Sequence, residues 1–116
     1  MILKDELWDM LEPATASFEG VKRRDVEEGL QSGQYHLFAT ERSAAVTAEF
    51  GAALRIGLAG GNLEDLLDIE EDICDFAKDR GYQAVEIIGR PGWERVLDGY
   101  ERKAVLLRKE IGYGLH

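Results

Sequence analysis

The spacing of apolar residues in the first third of the chain predicts two helices. Over residues 2–12 the apolar positions recur at helical spacing with charged residues between them, and Pro13 should end that helix. The apolar positions are Leu3, Leu7, Met10 and Leu11. A narrower apolar face over residues 21–30 predicts a second helix, which should stop before the turn signal of Gln31, Ser32 and Gly33.

The pattern then changes from helical spacing to alternation. Residues 35–39 and 44–50 predict two strands joined by the polar residues 40–43, and this loop has ordinary hairpin length. A third strand is predicted where Leu54, Ile56 and Leu58 alternate with smaller or polar residues. Gly60 and Gly61 follow it directly.

The longest amphipathic segment follows these glycines. Asn62 is suited to cap a helix, and Asp65 three residues later has the spacing of a capping box. Gly81 is the expected left-handed residue after the helix end. The apolar stripe between them predicts one buried face, formed by Leu63, Leu66, Leu67, Ile69, Ile73, Phe76 and Ala77.

The rest of the chain completes a mixed sheet. Residues 85–88 predict a strand, and its short links to the preceding helix imply a right-handed parallel crossover from the third strand. A short helix over residues 92–98 and a closing strand over 103–111 follow, and 112–116 should form a flexible tail. We therefore predict one α/β (α+β) domain over residues 1–111, whose mostly antiparallel sheet is flanked by helices.

Composition limits the classes of function. The net charge of -9, from 14 basic and 23 acidic residues, argues against direct binding of nucleic acid or of an anionic membrane surface. A single cysteine, Cys74, cannot form an internal disulfide and fits a reducing compartment. The charged N-terminal segment predicts neither a signal peptide nor a membrane span. We expect the protein in a cytosol, or in a particle assembled there.

Several segments resemble a known group of proteins. The strings GLQSGQYHLF, SAAVTAEF, LRIGLAGG, FAKDRG, GRPGWERVLDGY and AVLLRKEI lie in this order between residues 29 and 111, within a region of similarity of about residues 20–111. Together they resemble the small GNAT-like proteins, with an acyl-CoA N-acyltransferase fold, that tailed phages and prophages encode beside their virion genes. This resemblance implies a single-domain GNAT-like fold and a role in the virion or in its assembly.

The resemblance also implies where a cofactor would bind. In catalytic GNAT enzymes, the loop before the long helix carries a Gln or Arg ahead of its glycines and holds the CoA pyrophosphate. Here Gly60, Gly61 and Asn62 occupy that place without the Gln or Arg, and Glu64 and Asp65 add negative charge. Acetyl-CoA would therefore bind at these three residues only in the alternative function given below.

The family's acid–base groups are equally incomplete. Many GNAT enzymes place a Tyr four residues before the glycine of a Gly-Tyr step, and here that position is Arg95, which cannot donate a proton at ordinary pH. Tyr100 matches an aromatic packing position. Glu49 and Glu86 lie in predicted strands, and neither is singled out as a general base. We predict no catalytic residue.

Other residue patterns are better explained by structure than by chemistry. Asp68, Asp72, Asp75 and Asp79 lie on one helix face and predict a solvated surface, because they lack the convergent geometry of a calcium loop. The two histidines are far apart in sequence, so we expect no metal site. Cys74, with no adjacent histidine, predicts a small core residue.

Three residues are candidates for partner contacts: Arg90, Trp93 and Tyr113. Trp and Arg are enriched at interface hot spots, although Trp93 is also suited to pack the short helix onto the sheet. The leading hypothesis is a non-catalytic GNAT-like phage protein, without a cofactor, that contacts other virion proteins or further copies of itself. It would then lie in the virion or in the host cytoplasm. The alternative is an acyl-CoA-dependent N-acetyltransferase with a degenerate cofactor loop. A third hypothesis, an acidic inhibitor that mimics nucleic acid, draws only on the net charge.

Overall fold

The computed structural model describes residues 2–18, 20–88, 93–104, 107–109 and 111. The helices are α1 (Asp5–Leu11), a 3-10 helix (Glu12–Ser17), α2 (Arg23–Ser32), α3 (Leu63–Asp79) and α4 (Trp93–Val96). The strands are β1 (Tyr35–Ala39), β2 (Ser43–Phe50), β3 (Ala53–Gly61) and β4 (Ala84–Ile87). The predicted mixed α/β class is confirmed.

The strands form one sheet in the order β1-β2-β3-β4. β1 pairs with β2 and β2 with β3 in antiparallel register, whereas β4 joins β3 in parallel after the α3 crossover, as predicted. The register between β2 and β3 shifts beside Val46 and Thr47, because Gly57 is an extra residue on β3. Such a bulge bends a strand and increases its twist.

Each face of the sheet carries its own apolar core. α1 and α2 cover one face around Leu3, Leu11 and Val26, together with Val46 and Leu58 from the sheet. α3 covers the opposite face with Leu66, Ile69, Ile73 and Ala77, which pack on Ala45, Leu54 and Ile56. The sheet is therefore the middle of three layers.

The first helix differs from its prediction at both ends. α1 begins at Asp5, and the backbone N–H of buried Leu3 donates instead to the Glu27 carboxylate over 2.7 Å. Helical structure also continues past Pro13 as the 3-10 helix. Proline is tolerated there because the first turn of a helix leaves its N–H groups without helical partners.

The long helix agrees with its prediction except in one contact. Asn62 Oδ1 accepts the Asp65 N–H over 3.2 Å, and Gly81 follows the helix end with φ of 81°. The reciprocal half of the capping box is absent, because the Asn62 N–H donates to the Arg42 carbonyl instead. The Asp65 carboxylate bonds Thr40 and Arg42.

The predicted closing strand over residues 103–111 is wrong for the part the structure describes. Residues 103, 104, 107–109 and 111 belong to no strand, while 105, 106 and 110 lie outside the described residues. Leu107 is 88% exposed and Ile111 69% exposed, so neither has the packing partners that hold a strand in a sheet. The predicted tail, 112–116, also lies outside the described residues.

Candidate functional site

An apolar groove of about 690 Å³ opens between the 3-10 helix, the ends of β3 and β4, and α4. We call it the groove. Its walls are formed by residues from every layer of the fold: Met10, Pro13, Ala14, Ala16, Ile56, Gly57, Ala59, Gly60, Gly61, Leu63, Leu66, Ile87, Ile88, Trp93 and Val96. None of these described lining residues carries a titratable side chain.

The groove exists because two parallel strands separate. β3 and β4 are paired from Ala53 and Ala84 to Ile56 and Ile87, and the last hydrogen bond runs from the Ile88 N–H to the Ile56 carbonyl over 3.1 Å. From there to Gly61, β2 is the one strand among the described residues that pairs with β3. The bulge at Gly57 lies at the point of separation. Gly57 has no atom of another described residue within 4 Å of where a Cβ would stand, so the described part of the groove is open above it.

Gly60 and Gly61 line the groove as part of a strand. The sequence suggested a short loop at this place, but β3 includes both glycines and α3 begins after Asn62. A Cβ on Gly60 would stand 1.8 Å from the Met10 carbonyl oxygen. Gly61 has φ of 117°, and a Cβ there would stand 2.2 Å from the Arg42 carbonyl oxygen. Both glycines therefore allow close packing of neighbouring backbone, whatever else they bind.

Asn62 caps α3. The start of that helix also carries side-chain contacts that the sequence does not indicate. Arg42 Nη2 lies 3.0 Å from Asp65 Oδ1, and the Thr40 hydroxyl donates to Asp65 Oδ2 over 3.0 Å. These bonds, the one from Arg42 first, lower the pKa of Asp65. The negative charge of Asp65 is thus paired with a cation, and that cation is already engaged.

Trp93 packs on a core and lines the groove, and its role in partner contacts stays a prediction. Its side chain is half-buried, packs against the core beneath α3 and forms part of the groove wall. Arg90 and Tyr113, the other two candidates for partner contacts, lie outside the described residues. Leu63 and Val96, at the groove, are 47% and 42% exposed.

The carboxylates considered as general bases lie in other contacts. Arg55 donates to Glu86 Oε1 from two nitrogens, at 3.0 and 2.8 Å. Glu49 accepts the Tyr82 hydroxyl over 2.9 Å. Neither carboxylate lines the groove. Arg95 is exposed.

A polar cluster on α3 was not predicted. The Cys74 thiol and the Tyr100 hydroxyl both donate to Glu70 Oε2, over 2.9 and 2.8 Å. Burial first, and then the Glu70 carboxylate, raise the pKa of Cys74 to about 11 and also raise the pKa of Tyr100. Cys74 is therefore held as a thiol, the opposite of an activated nucleophile. The signal for this cluster in the sequence is the spacing of Glu70 and Cys74, which lie one helical turn apart.

The predicted acidic face is exposed to solvent, as expected. Asp68, Asp72, Asp75 and Asp79 are all exposed. Within the described part of the chain, no group of His, Cys, Asp and Glu side chains is arranged to hold a metal ion. None of the helices described has the length and apolar character needed to span a bilayer.

Comparisons with protein-family models, curated proteins and solved structures find no match for this chain. The GNAT-like resemblance therefore stays a prediction. The groove is the feature on which a functional proposal can be based.

Proposed function

We propose that this protein is a non-catalytic binding domain whose groove receives an apolar part of another protein, and that it serves a tailed phage in the virion or in virion assembly. The apolar lining of the groove carries the first half of this proposal. Acyl transfer to an amine generally needs a group that takes up a proton, and the described walls offer none. The second half is supported only by the resemblance of residues 20–111 to GNAT-like phage proteins.

Apolar burial would contribute part of the binding free energy of such a contact. Burial of a Leu, Ile, Val or Phe side chain contributes roughly 1.5–3 kcal/mol. A partner that inserts two such side chains, beside the exposed parts of Leu63 and Val96, gains roughly 3–6 kcal/mol before its other contacts are counted. Apolar anchors in a pocket, surrounded by weaker contacts, are the usual source of binding energy between proteins.

The acetyl-CoA-dependent alternative is favoured by one observation. The groove lies at the carboxyl ends of the parallel strands β3 and β4, where ligands of open α/β sheets commonly bind, and about 690 Å³ is within the range of cofactor pockets. Against it, Arg42 beside the α3 N-terminus is already bonded to Asp65. A CoA pyrophosphate would have to compete with that carboxylate for the cation.

Calorimetry separates the two functions. We expect no binding of acetyl-CoA or CoA to the full chain at micromolar concentrations, and a micromolar dissociation constant would overturn the non-catalytic proposal. Mass spectrometry of particles and of assembly intermediates from the source phage tests the biological role. We expect the chain in at least one of them, and its absence from both would refute that role.

A further inference from the structure

Among the described residues, no strand pairs with the β3 edge that faces the groove. Between Gly57 and Gly61, β3 pairs with β2 on one side, while its pairing with β4 on the other side has ended at Ile56. A strand edge of this kind presents N–H and C=O groups to whatever lies beside it, and it is a ready template for another strand.

The hydrogen-bond alternation indicates which groups are presented. The Asn62 N–H donates to the Arg42 carbonyl, so in antiparallel alternation Gly60 and Leu58 also point their backbone groups toward β2. The N–H and C=O of Ala59, which lies between them, then point toward the groove. The alternation gives these two groups no bond to β2, and no turn, loop or cap bond between described residues uses them. An N–H or C=O that is buried in an apolar groove without a hydrogen bond costs free energy. A bound chain that pairs with these two groups avoids that cost, whereas apolar contact alone does not.

The walls indicate what side chains such an occupant carries. Pro13 and Ala14 stand on one side of the β3 edge, and Trp93 and Val96 belong to α4 on the other. The described lining is uncharged, and burial of an unpaired charge against it would be costly. An α-helix would fit poorly, because its backbone groups are already bonded within the helix. A second copy of this chain would also bring a net charge of -9 toward the same charge.

We propose that the groove binds an extended, uncharged segment of a partner protein, which adds as a strand to β3 between Gly57 and Gly61. Its backbone pairs with Ala59, and its alternate side chains fill the space above Gly57 and contact the two walls. This inference depends on the proposed function, since it specifies the kind of protein segment that the groove receives. Strand addition of this type derives affinity from main-chain bonds and specificity from alternate side-chain pockets.

Selection from a displayed library of random nine-residue peptides tests the proposal on the full chain. We expect enriched peptides with apolar residues at every second position and no charge between them. Binding should weaken at least tenfold when the chain carries Gly57→Leu, which fills open space in the groove. It should stay unchanged with Ala39→Leu, which adds the same side chain at the exposed end of β1. Methyl groups can be placed on alternate peptide amides in two ways. We expect one of the two placements to abolish binding, because it blocks the amides that pair with β3.

A second variant protects the test against misfolding of the first. Leu63→Asp adds a charge at the groove while placing an acid in the first turn of α3, which favours the helix, and it should weaken binding at least tenfold. Peptides enriched with helical spacing would overturn strand addition but leave the groove as a protein-binding site. Failure of the library to yield any binder, or binding unaffected by both variants, would overturn the inference. Micromolar binding of CoA would instead overturn the proposed function itself.

Discussion

Substitution of Gly60 by alanine should destabilise the protein strongly, whereas the same change at Gly57 should not. A Cβ on Gly60 would stand 1.8 Å from the Met10 carbonyl oxygen and 3.0 Å from its carbon. Ordinary contact begins at 3.4 Å, so the end of α1 must retreat by about 1.6 Å. Leu11, which is fully buried in the core between α1, α2 and the sheet, would move with it. Gly57 has open space and an ordinary backbone conformation.

The magnitudes follow from packing. Overpacking of this kind typically costs 1–3 kcal/mol, and a backbone obstacle places Gly60→Ala near the upper end, at about 3 kcal/mol. Gly57→Ala should instead gain about 0.5 kcal/mol, because alanine loses less chain entropy on folding. Urea unfolding followed by tryptophan fluorescence measures both, and Trp8 on α1 reports the displaced helix.

The comparison also distinguishes two reasons for a glycine at position 60. Equal stability of the two variants would refute the packing argument. Gly60 would then be explained better as a residue that lets a cofactor approach the backbone. A loss confined to Gly60→Ala means that this glycine is required by the contact of α1 with β3. The thermal midpoint should then fall by roughly 10 °C or more.

Three further outcomes are expected. Thr47→Val should stabilise the fold by about 1 kcal/mol in urea unfolding, because the buried Thr47 hydroxyl has no hydrogen-bond partner among the described residues, and a loss would contradict this. Cys74, with a pKa of about 11 against an ordinary 9.0, should react with iodoacetamide at pH 8 roughly a hundredfold more slowly than in the urea-unfolded chain, and equal rates would count against the cluster with Glu70. Asp65→Asn should lower the thermal midpoint at pH 6, and the difference should shrink once the pH falls below 3.8 toward the lowered pKa of Asp65, because a carboxylate with a lowered pKa stabilises the fold only while it is ionised. A difference of equal size at pH 6 and pH 2 would show another cause, and exposed Asp68→Asn is the control.

Local pattern was enough to predict the central part of the fold. The Asn62 cap, the apolar stripe of α3 and Gly81 each specify the same helix, and the crossover rule then places β4 parallel to β3. The hairpin of β1 and β2 agreed to within one residue. These elements were predictable because their signals lie within a few residues of each other.

The errors came where distant contacts decide. Nothing near Pro13 indicates that helical structure continues to Ser17, since that depends on packing of the 3-10 helix beside β3. The apolar run before Arg108 suggested a strand, yet Leu107 is 88% exposed. Asp65 was placed in a capping box, but Arg42 and Thr40, more than twenty residues away, compete for its carboxylate.

The candidate site was the least predictable part. Its lining is assembled from α1, the 3-10 helix, β3, β4 and both later helices, and small apolar residues carry no chemical signature in a sequence. Gly60, Gly61, Asn62 and Trp93 were singled out from the sequence, and three of these four line the groove. The bulge at Gly57, which opens the space, depends on the register of β2 and gave no signal of its own.

The turn between β2 and β3 bears on the order of folding. These two strands are joined by Gly51 and Ala52 alone, with a φ of 60° at Gly51 that suits a tight hairpin turn. Hairpins form in roughly 1–10 μs, whereas β4 can pair only after the longer loop containing α3 has closed. We expect the central hairpin to nucleate the sheet and β4 to join late. The groove needs both strands, so a nascent chain should acquire it only after β4 has emerged from the ribosome and docked.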